Sequence, residues 1–116
     1  MLFICYENCS TCKGVEKSLV EKNISYEKRD IKADNPTATE LKDWHEKSGL
    51  NLKKFFNTSG TVYRELGLKD KLGDMSEDEQ YQILATNGML VKRPIIITDD
   101  DDILVGTSAK DYVKSL

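Results

Sequence analysis

Cys9 and Cys12 are separated by Ser10 and Thr11, and a third cysteine, Cys5, precedes them in the same short segment. A Cys-x-x-Cys pair supports two chemistries: as thiolates the sulfurs can hold a metal ion, and as a dithiol they can exchange with a disulfide. A zinc site needs four ligands, which Cys5, Cys9, Cys12 and the single histidine, His45, could supply as a Cys3His set. Against that, Cys5 sits in an apolar run and the lone Cys-x-x-Cys has no partner knuckle, so the redox pair is the favoured reading. Cys5 then reads as a small core residue, and His45, beside Trp44 in a charged segment, as an exposed or interface side chain. The acidic run Asp99 to Asp102 lacks the spaced ligands and distal Glu of a calcium loop and reads as a solvated turn.

The elements that must position this pair are legible as hydrophobic patterns. Leu2 to Tyr6 is wholly apolar, as expected of a strand covered on both faces. After the polar residues 7–11, Val15, Leu19 and Val20 recur at helical spacing from Cys12 onward, and Asn23 is a natural stop. Ile24 to Ile31 reads as a second strand, which completes a βαβ unit with a right-handed crossover.

Residues 34–91 change character and read as helical. One helix opens at Asp34-Asn35-Pro36-Thr37 and closes at Ser48-Gly49, and another runs from Val62 to Leu66. A third opens at Ser76-Glu77-Asp78-Glu79 and stops at Asn87-Gly88. Pro94 to Thr98 and Ile103 to Val105 form a hairpin around the acidic turn, and a last helix spans Ala109 to Leu116. The order βαβ, all-helical insert over about 34–91, then ββα is that of a thioredoxin-like α/β fold. It implies a four-stranded mixed sheet with helices on both faces, in a single domain over residues 1–116.

This placement gives the cysteines their chemistry. At a helix N-terminus the unpaired N–H groups and the helix dipole favour a thiolate, and such cysteines have pKa values of roughly 3.5 to 7.5. Cys9 is thereby the nucleophile, while Cys12, one turn deeper on the same helix edge, can attack a mixed disulfide on Cys9 and resolve it. Asn8, Ser10 and Thr11 flank the pair, with Ser10 and Thr11 as helix-capping or thiolate-donating hydroxyls. Pro94 falls where this fold places a cis-proline opposite the cysteines. Arg93 before it would aim a fixed cation at the cysteine loop, to stabilise a thiolate or hold an oxyanion.

The bulk properties exclude other classes. The chain has 116 residues, of which 39% are hydrophobic and 32% charged, and a net charge of −3. That suits one globular core and argues against a surface built to neutralise nucleic-acid phosphates. The apolar start is far shorter than the roughly 20 residues of a membrane span, so a cytoplasmic location without membrane association is expected. In that reducing compartment an odd number of cysteines points to catalysis or metal binding and not to a structural disulfide framework.

The chain resembles the arsenate reductase (ArsC) and Spx family, and within it the Spx/MgsR-related ArsC-like bacterial proteins. The matching stretches are Tyr6 to Lys13 (YENCSTCK), Lys47 to Leu66 (KSGLNLKKFFNTSGTVYREL), Met75 to Met89 (MSEDEQYQILATNGM) and Val91 to Ile95 (VKRPI), with Gly106. The resemblance implies a thiol-dependent, glutaredoxin-like reductase of the thioredoxin fold, with Cys9 as catalytic cysteine and Arg93 as the arginine before the proline. Arsenate-reducing members grip the oxyanion with three arginines. Here Asn57 stands at about the place of the middle one, and the segment around Gly106-Thr107-Ser108 lacks the late one. The missing charge-assisted bonds are worth roughly 1.5 to 3 kcal/mol each. No bound cofactor is implied, with glutathione or another low-molecular-weight thiol as co-substrate and a thioredoxin- or glutaredoxin-type reductant as partner. The Spx branch implies an alternative, a redox-switched regulator that binds the RNA polymerase α-subunit and not DNA.

Overall fold

A computed structural model describes the whole chain, residues 1–116. The backbone falls into two units, Met1–Asp30 with Arg93–Leu116, and Ile31–Lys92. The second contains the stretch, about residues 34–91, over which a helical insert is expected.

In the first unit the apolar start forms β1 (Leu2–Cys5), followed by α1 (Ser10–Glu21) and β2 (Glu27–Asp30). β2 is shorter than the expected strand over Ile24–Ile31, and the end of α1 explains why. Asn23 takes the left-handed conformation at φ +55°. Its N–H bonds to the Val20 carbonyl at 3.1 Å, and the Ile24 N–H reaches back to Leu19 at 3.0 Å, a Schellman closure. Residues 22–24 therefore belong to the helix terminus, and pairing with β1 starts only at Glu27.

β3 (Ile95–Ile97) and β4 (Ile103–Val105) complete a sheet of order β2-β1-β3-β4, in which β1 and β2 are parallel and the other pairs antiparallel. The register places Phe3 opposite Ile96 and Ile96 opposite Leu104. On that face Phe3, Cys5 and Ile96 join Cys12, Val15 and Leu19 of α1 and Ala109 and Val113 of α6 (Thr107–Ser115) in one core. Burying each large side chain contributes about 1.5–3 kcal/mol. On the other face Ile4 and Ile95 are also fully buried, so β1 is the two-sided strand its composition implies.

The acidic run is a turn with Asp99 to Asp102 exposed, and Thr98 and Asp102 close it through a 3.0 Å backbone bond. The last helix starts two residues earlier than expected, because Gly106 adopts φ +60°, ψ −120°, open to glycine but not to side-chain-bearing residues. That conformation turns the chain directly from β4 into α6 and leaves the Gly106 N–H bonded to the Pro94 carbonyl at 2.8 Å.

The second unit contains α2 (Ala38–Ser48), α3 (Thr61–Glu65), α4 (Leu68–Lys71) and α5 (Glu77–Leu84). Thr37 with Glu40, and Ser76 with Glu79, form reciprocal capping boxes at the starts of α2 and α5. α4 escapes sequence reading because four residues carry no period; buried Leu68 and Leu72 hold it in place. α5 ends at Leu84 and not at Asn87-Gly88. Asn87 is extended instead, and its side chain accepts the Met89 N–H to open a 3-10 turn over Gly88–Leu90. Gly88 is required for space, since a Cβ there would stand 2.1 Å from the Ile31 carbonyl oxygen.

Of the two placements expected for His45, exposed or at an interface, the structure shows it partly buried between packed elements. Leu41, Trp44, His45 and Ser48 share one face of α2 at i, i+3, i+4, i+7 spacing, so the imidazole lies along the buried stripe. Its Nδ1 is 2.6 Å from the Tyr81 hydroxyl, and its ring meets Phe55 edge-on at 5.9 Å. No helix of the chain is long and apolar enough to cross a membrane.

Candidate active site: a thiol pair beside Arg93

β1 ends at Cys5, and Tyr6 to Asn8 carry the chain to Cys9, which occupies the N-cap of α1 in extended conformation (φ −91°, ψ +120°). The loop is closed by the Cys9 N–H, which donates to the Tyr6 carbonyl at 3.0 Å. Cys9 is half-buried, whereas Cys12, one turn on, is 2% exposed and belongs to the core. Both are free thiols in this structure, as is Cys5.

The two thiols have opposite acidities. For Cys9, burial works against ionisation, but it is outweighed: the Cys12 backbone N–H and the Cys12 thiol donate to its sulfur, and Arg93 adds its charge and a further hydrogen bond. The Cys9 pKa is lowered as a result. Cys12 is pushed up to about 12, first by burial and then by the Cys9 sulfur it donates to and by the charge of that group, despite the Tyr6 N–H that reaches its sulfur at 3.5 Å. Cys5 is raised to about 11, chiefly by burial, and is chemically quiet. The arrangement is therefore a half-buried thiol of lowered pKa backed by a buried thiol of raised pKa.

Arg93 comes from the other end of the first unit. The Arg93–Pro94 peptide bond is cis, as the fold assignment anticipates. Pro94 is buried and is tied to α6 through Gly106. The Arg93 guanidinium lies over the Tyr6 ring, 5.3 Å from its centroid.

Cys9, Cys12, Arg93 and Pro94 thus share one end of the sheet. Asn8 touches this group indirectly, donating to the Tyr6 hydroxyl at 3.3 Å. Ser10 and Thr11 do not take the expected roles. Cys9 itself is the N-cap, no side chain caps α1, and both hydroxyl residues are exposed, because the helix begins one residue after Cys9 and turns positions 10 and 11 outward. No three His, Cys, Asp or Glu side chains converge as a metal ligand set.

Sequence reasoning missed Tyr6. By pattern it reads as the last residue of an apolar strand, with no role of its own in the stretch Tyr6 to Lys13, whereas β1 stops at Cys5 and leaves the Tyr6 side chain and backbone to the cysteine loop. A polar-tipped aromatic at the junction of strand and Cys-x-x-Cys loop was the available signal.

Comparison with known proteins agrees with this architecture. The model of the ArsC family matches residues 5–115. The chain is 50% identical over 106 residues to the uncharacterized protein YusI of Bacillus subtilis, covering 91% of this chain and 89% of that one. It is 26% identical over 99 residues to the global transcriptional regulator Spx of Staphylococcus epidermidis, covering 85% of this chain and 73% of the regulator. Among solved structures, an ArsC family related protein from Bacteroides fragilis superposes with a TM-score of 0.89 at 53% identity, over 97% of this chain and 94% of that chain. A Streptococcus mutans protein described as a possible arsenate reductase gives 0.85 at 45% identity, over 96% and 95%. With a family match that runs from the strand before the thiol pair to the last helix, and with the thioredoxin-like sheet of its structural neighbours, this chain belongs to the ArsC family.

Proposed function

We propose that the protein is a thiol-disulfide oxidoreductase that works through Cys9 and Cys12. The observation that carries this reading is the division of acidity across one helical turn. Cys9 is half-buried at the start of the helix, with its pKa lowered by hydrogen bonds from Cys12 and by Arg93, while Cys12 is buried with its pKa pushed up to about 12.

The Cys9 thiolate attacks one sulfur of a substrate disulfide. A Cys9–substrate disulfide forms, the substrate S–S bond breaks, and one substrate thiolate leaves. Forming that bond removes the negative charge at Cys9, which is one of the causes holding the Cys12 pKa up. Cys12 then gives its proton to the leaving thiolate and attacks the Cys9 sulfur, and the second substrate sulfur departs as a thiolate that takes its proton from water. The pair ends as a disulfide, two electrons have passed to the substrate, and an external thioredoxin- or glutaredoxin-type dithiol, or two low-molecular-weight thiols such as glutathione, returns them. No bound cofactor or metal takes part in this scheme, and it suits a reducing, cytoplasmic setting.

Arg93 is the one counterpart of the three arginines that arsenate-reducing relatives use. This favours disulfides over arsenate as substrates.

Similarity to Spx supports a second reading, in which the same disulfide switches affinity for the RNA polymerase α-subunit. Turnover separates the two. The oxidoreductase reading predicts that reduced protein lowers a disulfide substrate catalytically when coupled to a thioredoxin or glutaredoxin system, and that Cys9→Ser abolishes this. Absence of turnover with either system, together with binding of the α-subunit that depends on the state of Cys9 and Cys12, would replace it with the regulator.

A further inference from the structure

We infer that Tyr6 is the positioning residue of the thiol pair, acting through Arg93 and Cys12 by clamping the guanidinium on its ring and the Cys12 sulfur on its backbone. Tyr6 makes four contacts, each to a different part of the site. Its N–H points at the Cys12 sulfur at 3.5 Å, and its carbonyl accepts the Cys9 N–H at 3.0 Å. Its ring carries the Arg93 guanidinium at 5.3 Å, and its hydroxyl accepts from Asn8 at 3.3 Å.

The physical need is clear from the chemistry of arginine. A guanidinium on a long flexible stem loses rotamer freedom when it serves one thiolate, and an aromatic face that already holds it reduces that cost. The ring also keeps its hold whatever the state of the sulfur. When Cys9 enters a mixed disulfide and loses its charge, Arg93 retains the ring as a partner and stands in place when the thiolate is regenerated. Tyr6 therefore sets how much of the Arg93 charge Cys9 receives, without touching the substrate. This inference rests on Cys9 being the nucleophile proposed above.

The test is the pH dependence of Cys9 alkylation by iodoacetamide, followed by mass spectrometry on reduced protein, which needs no disulfide substrate. Tyr6→Leu keeps the backbone bonds and loses the ring face that fixes the guanidinium, so the titration midpoint should rise, by no more than Arg93→Gln alone raises it. Tyr6→Phe restores the wild-type midpoint. In an Arg93→Gln background Tyr6→Leu adds no further shift, because the two act as one unit. Fluorinated phenylalanines at position 6, which preserve shape while draining the ring face of negative charge, should raise the midpoint step by step with fluorine content. That series stands in if the Leu variant does not fold. An equal shift from Tyr6→Leu with and without Arg93, or no response to fluorination, would overturn the clamp. Loss of disulfide turnover with an intact alkylation pattern would instead count against the proposed function alone.

Discussion

The reduced protein should lose stability in mild alkali, and the loss should be assignable to two particular thiols. Cys5 and Cys12 are 3% and 2% exposed, with folded-state pKa values of about 11 and about 12 against 9.0 for an unperturbed cysteine. Above the unperturbed value the unfolded chain has released these protons and the folded chain has not. Unfolding then becomes easier as pH rises, and the loss is complete only above the folded-state values. Between about pH 8 and about pH 10 each thiol should remove on the order of 1 kcal/mol of stability. Cys9 has the opposite sign: its lowered pKa adds stability as pH rises through the folded value, and the gain levels off above the unfolded one. Urea unfolding at closely spaced pH values with a non-thiol reductant measures the slope. Cys5→Ala leaves the hydrogen bonds to Cys9 untouched and should remove the Cys5 share of the loss, flattening the slope. A Cys5→Ala protein with the full wild-type slope would refute the burial argument for that thiol. If Cys12→Ala also left the slope unchanged, Cys12 would not be a buried protonated thiol, and the division of labour between the two cysteines would fall with it.

Cys12→Ser should leave the first exchange intact and trap the Cys9 mixed disulfide, visible by mass spectrometry as a stable adduct with a model disulfide, whereas Cys9→Ser should give none. Gly88→Ala should destabilise by more than about 3 kcal/mol, since the added carbon meets a main-chain carbonyl and not a flexible side chain; chemical denaturation checks this. Thr37→Ala and Ser76→Ala should each cost about 1 kcal/mol through loss of a capping box, measured the same way.

The element order was legible because each element has a local signature. The two-sided strand β1 is continuous apolar sequence, Asn23 closes α1 by its own backbone preference, and Thr37 and Ser76 announce α2 and α5 through acids three residues on. What was not legible has equally specific causes. α4 is too short to show a period. The end of α5 was misplaced because Asn87 spends its side chain on the following turn. The partial burial of His45 was implicit in its place on the Leu41–Ser48 stripe, but its partner Tyr81 lies far along the chain.

By itself the sequence determined that two cysteines start a helix after a buried strand, since spacing and periodicity act over a few residues. The helix start also pointed to Cys9 as the nucleophile, but what sets the two acidities apart was a matter for the tertiary structure. Cys12 is raised by a core assembled from β1, β3, α1 and α6, and Cys9 is lowered partly by Arg93, which reaches it only because β3 pairs with β1. Desolvation and charge act through space, so the acidities of two residues three apart depend on one more than eighty positions away, and on the Tyr6 ring beneath it.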